Sequence, residues 1–398
     1  MKLVSKRMIR CGAGAALACA LGLALASGQT APAPKPKATA PAAGAAQAAR
    51  KTQMAEDVFK NVQALKGIPV DEFMGTMGFL AASLSLNCTD CHISESASSW
   101  ARYADDTPIK ETARKMIFMV NAINKSNFGG SKFVTCWTCH RGNQRPTVIP
   151  SLLEQYSAPP PEDPNEVVVN SDAYSGPTAD QILDKYLKAL GGPDKVAGMM
   201  TFTGKGTYKG YDTDFDEVPV DVYGKSPNQR STVIHMIAGN STTTFDGRTG
   251  WVASPDKPVP LMDMSGGALD GAKIDASVMF PAQIKQMLTN YKPATASIDD
   301  KMVAVVTGTS PAHLPVKLFF DTDSGLLLRV VRYVPTMVGT NPLQIDFSDY
   351  RDVNGFKFPY QWITTWTDGQ STTVLTQVQV NTTVPAARFG KPAPAKTQ

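Results

Sequence analysis

Histidine and cysteine are scarce in this chain, four and six among 398 residues. An excess of either charge is missing too: 39 Lys and Arg stand against 35 Asp and Glu, a formal net charge of +4. So small a balance, with no clustered basic run interleaved with aromatics beyond the first residues, speaks against a nucleic-acid partner. No Gly-x-Ser-x-Gly, no phosphate-binding glycine loop and no histidine pair at metal spacing occurs, so the usual carriers of hydrolytic, nucleotide and zinc-enzyme chemistry are missing. The acidic residues scatter at turns, where Asp and Asn suit the geometry. A lasting membrane span is not legible either. The apolar run from Cys11 to Ala26 is short and rich in small residues. It follows Lys2, Lys6, Arg7 and Arg10 and ends in Ala24-Leu25-Ala26, which reads as a signal peptide over residues 1–26, cleaved before Ser27. Cys19 offers a second reading, an acylated lipoprotein, although Ala16-Leu17-Ala18 is a poor approach to such a site. Either way the mature chain is expected outside the cytoplasm, in the periplasm, and Cys19 leaves membrane association open.

What the chain does have is a pattern used twice. Four of the six cysteines and two of the four histidines fall in NCTDCHIS (Asn87–Ser94) and VTCWTCHRG (Val134–Gly142), each holding Cys-x-x-Cys-His. In an oxidising compartment disulfides would be the default, but a disulfide framework needs no fixed His after each pair. A zinc site would leave both histidines unexplained, and a thioredoxin-like pair would need a βαβ context. Cys-x-x-Cys-His is the haem c attachment signature: two thiols add to the haem vinyl groups, and the adjacent imidazole falls under the iron. The expected cofactors are two covalently bound haem c groups, attached through Cys88, Cys91, Cys136 and Cys139, with His92 and His140 as proximal ligands.

The second axial ligand of a c-type haem is commonly Met or His. The remaining histidines, His235 and His313, lie far downstream, one in strand-like and one in loop-like sequence. Methionine is better placed. VDEFMGTMGFLAASLSLNC carries Met74 and Met77 ahead of the first motif, and a helix-like stretch from about Pro108 to Asn124 carries Met116 and Met119 ahead of the second. Three apart, the members of each pair share a helix face. Either can ligate while the other packs on the macrocycle, or all four fill gaps in a core.

From about Val58 to Arg145 the sequence resembles the cytochrome c subunit of photosynthetic reaction centres, on VDEFMGTM, ARKMIFMVNAIN and VTCWTCHRG. That family repeats a Met-bearing helix, a turn and a helix with Cys-x-x-Cys-His. The resemblance implies Met77 as the sixth ligand before the first motif, through the shared EF-x-x-x-M spacing, and Met116 before the second, directly after Ala-Arg-Lys. The family's full subunit carries four haems where this chain has two motifs, so a photosynthetic partner does not follow.

The rest of the chain reads differently. Residues 27–52 are an Ala/Pro-rich tether, 53–150 the dihaem cytochrome c domain, and 151–175 a linker around SAPPPEDPNE (Ser157–Glu166). An amphipathic helix is predicted over Thr178–Leu190, ended by Gly191 to Pro193. Beyond Thr201 alternating and β-branched runs are joined at Asp246-Gly247, Asp323-Gly325, Asn354-Gly355 and Asp368-Gly369, with a helix expected near Phe280–Tyr291. The tryptophans Trp251, Trp362 and Trp366 read as core or rim aromatics. FDGRTGWVAS, DTDSGLLLRV and FSDYRDVNGFKFPYQW resemble the lipoprotein-carrier (LolA/LolB-like) half-barrel family, which implies a half-barrel over residues 176–390 whose concave face takes a lipid, an acyl chain or a partner protein. Residues 391–398 are a tail.

The fold class expected is therefore multidomain: an all-α c-type cytochrome domain followed by an α+β antiparallel half-barrel domain. The function expected is a periplasmic electron carrier rather than an enzyme, passing single electrons between a donor and an acceptor. Its partner would be a redox protein, among which a membrane-bound electron-transfer complex is one form. Two alternatives stay open: a ligand sensor or enzyme with one open haem site, and a lipid- or lipoprotein-binding half-barrel with an accessory cytochrome domain.

Overall fold

The computed structural model describes residues 52–152, 156–157, 163, 165, 174–255 and 257–392. The expected signal peptide with Cys11 and Cys19, the tether up to residue 51, most of the proline-rich linker and the end of the tail lie outside the described residues. The described residues belong to one compact unit. Among the described residues no helix is long and apolar enough to cross a membrane.

Residues 52–152 fold as short helices and turns: α1 (Ala55–Val58), α2 (Val70–Leu84), α3 (Cys88–Cys91), the 3-10 turns Ser94–Ala97 and Trp100–Ala104, α4 (Pro108–Asn127) and α5 (Cys136–His140). Pro69 sits at the N-cap of α2, and Ser85 ends the helix in the left-handed region at φ 51°. Thr107 starts α4 by accepting the Lys110 N–H at 3.1 Å, with Pro108 pre-set at the first helical position. Their apolar faces meet in a small cluster of Ala55, Leu65, Ile68, Phe79, Ile117 and Cys136, completed by Val338 from far downstream.

The remainder is built on a 13-stranded antiparallel sheet. Its strands are β1 (Thr201–Gly210), β2 (Val218–Lys225), β3 (Gln229–Met236), β4 (Gly239–Phe245), β5 (Gly250–Ala253), β6 (Leu261–Asp263), β7 (Thr289–Ile298), β8 (Lys301–Thr309), β9 (Pro315–Asp321), β10 (Leu327–Pro335), β11 (Thr340–Val353), β12 (Phe356–Trp366) and β13 (Gly369–Val380). The spatial order is β6-β5-β4-β3-β2-β1-β13-β12-β11-β10-β9-β8-β7. Two meanders are thus joined by the pairing of β1 with β13, from Phe202 opposite Val380 to Gly210 opposite Ser371, with a bulge between Lys205 and Gly206 that shifts the register.

Helices α6 (Ala179–Ala189), α7 (Pro193–Ala197), α8 (Gly266–Val278) and α9 (Ile284–Met287) accompany the sheet. The predicted Thr178–Leu190 helix forms as α6, with Thr178 and Gln181 closing a reciprocal cap. Helix α8 touches β3 and β4 on one side and β10 on the other. Strands that far apart in the order reach one helix because the sheet curls around it as a half-barrel. The concave interior is filled by Leu183, Phe202, Val222, Ile274, Leu318, Phe320, Phe358 and Leu375, all buried. The expectation of one helix near Phe280–Tyr291 is corrected. That stretch holds a 3-10 turn (Pro281–Gln283) and the single turn α9, and β7 begins at Thr289. Phe280, Ile284 and Leu288 are all buried, but the chain is already extended at Leu288, so the helical stretch is too short for the expected helix.

Candidate functional site

The first motif is a single helical turn with a closed cap. Asn87 Oδ1 accepts the N–H groups of Thr89 at 2.9 Å and Asp90 at 3.1 Å, and Asp90 Oδ2 accepts the Asn87 N–H at 2.8 Å. This leaves Cys88 exposed, Cys91 half-buried, and both as free thiols. His92 follows in extended conformation, and its Nδ1 lies 3.0 Å from the Tyr103 carbonyl oxygen. A carbonyl can only accept, so Nδ1 carries the proton and Nε2 presents its lone pair, the state in which imidazole binds a metal. Burial holds the His92 pKa below its ordinary value, and nearby Lys110 adds to this, against the hydrogen bond to Tyr103. The imidazole is therefore neutral at pH 7. Tyr103 also lies against the ring, centroids 4.8 Å apart. Thr107 Oγ1 donates to the Cys91 carbonyl at 2.6 Å, tying the motif to the start of α4.

The second motif repeats the construction with other residues. Thr135 and Thr138 cap it reciprocally, at 3.2 and 3.0 Å. His140 Nδ1 lies 3.0 Å from the Asn143 carbonyl oxygen, which fixes the same tautomer. Arg141 and Gly142 both take positive φ, 48° and 78°, and turn the chain so that the Gly142 N–H donates to Ser83 of α2 at 3.0 Å. Asn124 clamps the approach, donating to the Val134 carbonyl at 2.7 Å and accepting its N–H at 2.9 Å. Cys136 is buried, which pushes its thiol up to about 11, whereas Cys139 is exposed.

The four candidate methionines differ in setting. Met77 is half-buried and packs with Phe73 and Leu80 on the small apolar cluster that includes Cys136. Met74, Met116 and Met119 are 44%, 38% and 45% exposed. Helix α2 packs on α5, so the methionine helix of the first motif supports the second, while the first motif leans on the start of α4. His235 lies on β3, bonded to Asp221 at 3.1 Å and Asn240 at 3.0 Å. His313 sits in a loop with φ 61°.

Tyr103, Asn143, Thr107 and Asn124 were not singled out from the sequence. Tyr103 and Asn143 act through their own backbone carbonyls and stand at different spacings from their histidines, and Thr107 and Asn124 act on the Cys91 and Val134 carbonyls, so no shared pattern marks them.

The residues present fit haem c. Alongside four unpaired thiols and two pre-set imidazoles, Trp100, Ile109, Phe118, Phe128, Phe133 and Trp137 are exposed within the same hundred residues. So much large apolar surface around two attachment turns suits a flat apolar group lying on it.

The comparisons with known proteins bear on the same region. Residues 19–180 match the family of the photosynthetic reaction centre cytochrome C subunit. The photosynthetic reaction center cytochrome c subunit of Thermochromatium tepidum is 38% identical over 97 residues, 23% of this chain and 22% of that protein. The corresponding subunit of Roseobacter denitrificans is 30% identical over 104 residues, 24% of this chain and 28% of its own. The chain thus spans about a quarter of the length of the curated relatives it matches. Over another 54% of the chain, a LolA superfamily protein from Nitrosomonas europaea is similar in structure, at 17% identity, TM-score 0.37 and 99% coverage of that protein. The N-terminal part is therefore similar to reaction-centre cytochrome c subunits, and the C-terminal part to LolA-type structures.

Proposed function

We propose that this chain is an exported dihaem c-type cytochrome of the periplasm, an electron carrier between a protein donor and a protein acceptor. Cys88 with Cys91, and Cys136 with Cys139, hold the two haems. His92 and His140 are the proximal ligands, and Met77 and Met116 the distal ones. The haem-bearing unit spans 53–150, and the linker of 151–175 leads to the half-barrel of 176–390. When bound, each haem supplies an iron that takes up and releases one electron, and thioether ligation favours its ferrous form.

The observation that carries this reading is the doubled construction: two capped Cys-x-x-Cys turns, each followed by a histidine whose Nδ1 is committed to a backbone carbonyl, at 3.0 Å in both. The chain's own groups do the rest. The carbonyls of Tyr103 and Asn143 hold the imidazole protons, the caps at Asn87 and Thr135 hold the thiols in register, and the exposed aromatics shield the attached groups from water.

Mass spectrometry of the denatured, exported chain tests the reading. Its intact mass should exceed that of the polypeptide by two haems. One haem, or none, overturns it.

A further inference from the structure

Helix α2 is held on one face by the rim of the half-barrel. In its first turn the Asp71 carboxylate accepts the Ser265 N–H at 2.6 Å and the Ser265 hydroxyl at 2.7 and 2.9 Å. Ser265 is the N-cap of α8 and makes no cap bond with its own side chain. Asp71 therefore supplies the anion that the start of α8 favours. One turn on, Asn341 of β11 donates to the Gly75 carbonyl at 2.8 Å. One turn further, Gly78 lies against the β12–β13 turn so closely that a Cβ there would stand 2.9 Å from the Asp368 carboxylate. Beside it, Phe79 covers Gly339 in the β10–β11 hairpin, where an added Cβ would fall 2.1 Å from the ring.

Residues 71, 75 and 78 share one helix face, and Phe73, Met77 and Leu80 share the opposite one. Three successive turns are thus fixed to the sheet region, which sets both the roll of α2 about its axis and its position along it. A rotation of the helix would carry Met77 with it. Helix α4 is held otherwise: its side-chain hydrogen bonds run to residues within 52–152, such as Arg114 to Asn61 and Asn124 to Val134. Among the described residues Ile117 packs in the cluster that contains Val338, and beyond the helix end Lys132 donates to the Thr336 carbonyl, a single tether that does not fix the roll of α4.

We infer that the half-barrel rim is the positioning frame for Met77, with Ser265 and Asn341 as positioning residues for one haem site of the two. This rests on the proposed dihaem reading with Met77 as a distal ligand. The half-barrel is then part of the redox unit: a displacement of its rim shifts the equilibrium at one haem and spares the other.

The test uses the full-length holoprotein with Ser265→Ala, Asn341→Ala and the double variant. Two readouts separate positioning from plain stability, namely the midpoint potentials of the two haems and carbon monoxide binding at each. One haem should lower its potential, weaken its Met-to-iron charge-transfer band and bind carbon monoxide roughly fivefold or more tightly, the equilibrium equivalent of one lost hydrogen bond. The other haem should stay unchanged, and Ser265→Thr, which keeps the hydroxyl, should restore the first. Two unchanged haems in the double variant, or two that shift equally, overturn the inference. Met77→Ala, measured alongside, separates the two failures. If it leaves both haems Met-ligated, the ligand assignment has failed and the positioning inference falls with it. If it removes one Met signal while the rim variants move nothing, the positioning inference alone falls.

Discussion

The two halves of this molecule are stabilised in different ways. The sheet region has a continuous interior, with Leu183, Val222 and Leu318 fully buried among aromatic and aliphatic neighbours from six or more strands. The helical region has a small cluster that borrows Val338 and Met337 from the sheet, and it leaves Phe118, Phe133 and Trp137 to solvent. A core of native density stabilises a fold alone. A hundred residues with so little of it need something else to bury their apolar surface. The contact between α2 and the rim is one such source, and the two haems proposed above would be the other. The linker sequence suggests two units, and the hydrogen bonds that Ser265 donates to Asp71 and Asn341 to Gly75 tie the helical region to the sheet rim.

The harshest way to break this comparison is to remove the attachment points. A chain with Cys88, Cys91, Cys136 and Cys139 all changed to Ser should keep the sheet and lose much of the helical region. Hydrogen exchange resolves the two: amides of α4 should fall towards the unfolded limit, while those of β8 to β10 keep the protection of the global transition. Equal protection in both regions would show that the helical core is self-sufficient.

A smaller effect comes from equal truncations on the two sides. Leu183 and Leu65 are both buried, 0% and 4% exposed. Leu→Ala substitutions in buried sites cost about 2–5 kcal/mol, more where the surroundings cannot collapse into the gap. Leu183→Ala lies under the sheet among rigid neighbours and should fall near the upper end in urea unfolding. Leu65→Ala, in the small cluster, should fall near the lower end. The reverse order would mean that the helical cluster is the better packed of the two.

How much of this was legible in the sequence also divides between the halves. The hairpins were, because their turns have chemistry: Asn354-Gly355 closes β11 on β12, and both residues take positive φ. Strand alternation did the rest. Helix α8 was not legible. SGGALDGAKIDASV shows no clear apolar stripe, since α8 is packed from both sides by the curled sheet and needs no single buried face. Its Gly271 marks the closeness of that packing: a Cβ there would stand 2.1 Å from the Arg332 guanidinium, which pairs with Asp275 at 2.7 and 2.8 Å. In the helical region the two Cys-x-x-Cys-His motifs stand out by residue type, and the structure forms each as a capped turn with free thiols. Their supports do not stand out, since Tyr103 and Asn143 act through carbonyls that every residue has. Nor does the rim contact, where Asp71 meets Ser265 and Gly75 meets Asn341 across separations of 194 and 266 residues.

The smallest expected effect is on pH dependence, at Glu72 in the first turn of α2. Half-burial raises its pKa above the ordinary value of 4.5, Lys132 nearby opposes this and Asp71 adds to it. A carboxyl with a folded pKa above its unfolded one keeps its proton longer when folded. Between the two values the native state binds more protons, so stability falls as pH rises through that interval and stays lower above it. The window opens near the ordinary glutamate value and closes at the raised one. Glu72→Gln removes the group, and its stability should decline less than that of the parent chain over the same window, with the difference fading at lower pH. Lys132 also donates to the Thr336 carbonyl on the rim, so it keeps a partner in the variant. Urea midpoints of both chains from about pH 4 upward, the range set by the ordinary carboxylate values, measure the difference. A parent chain that gains stability relative to Glu72→Gln as pH rises would reverse the sign: the attraction of Lys132 would then outweigh the loss of solvent at Glu72, and the first turn of α2 would be held by charge rather than merely tolerating it.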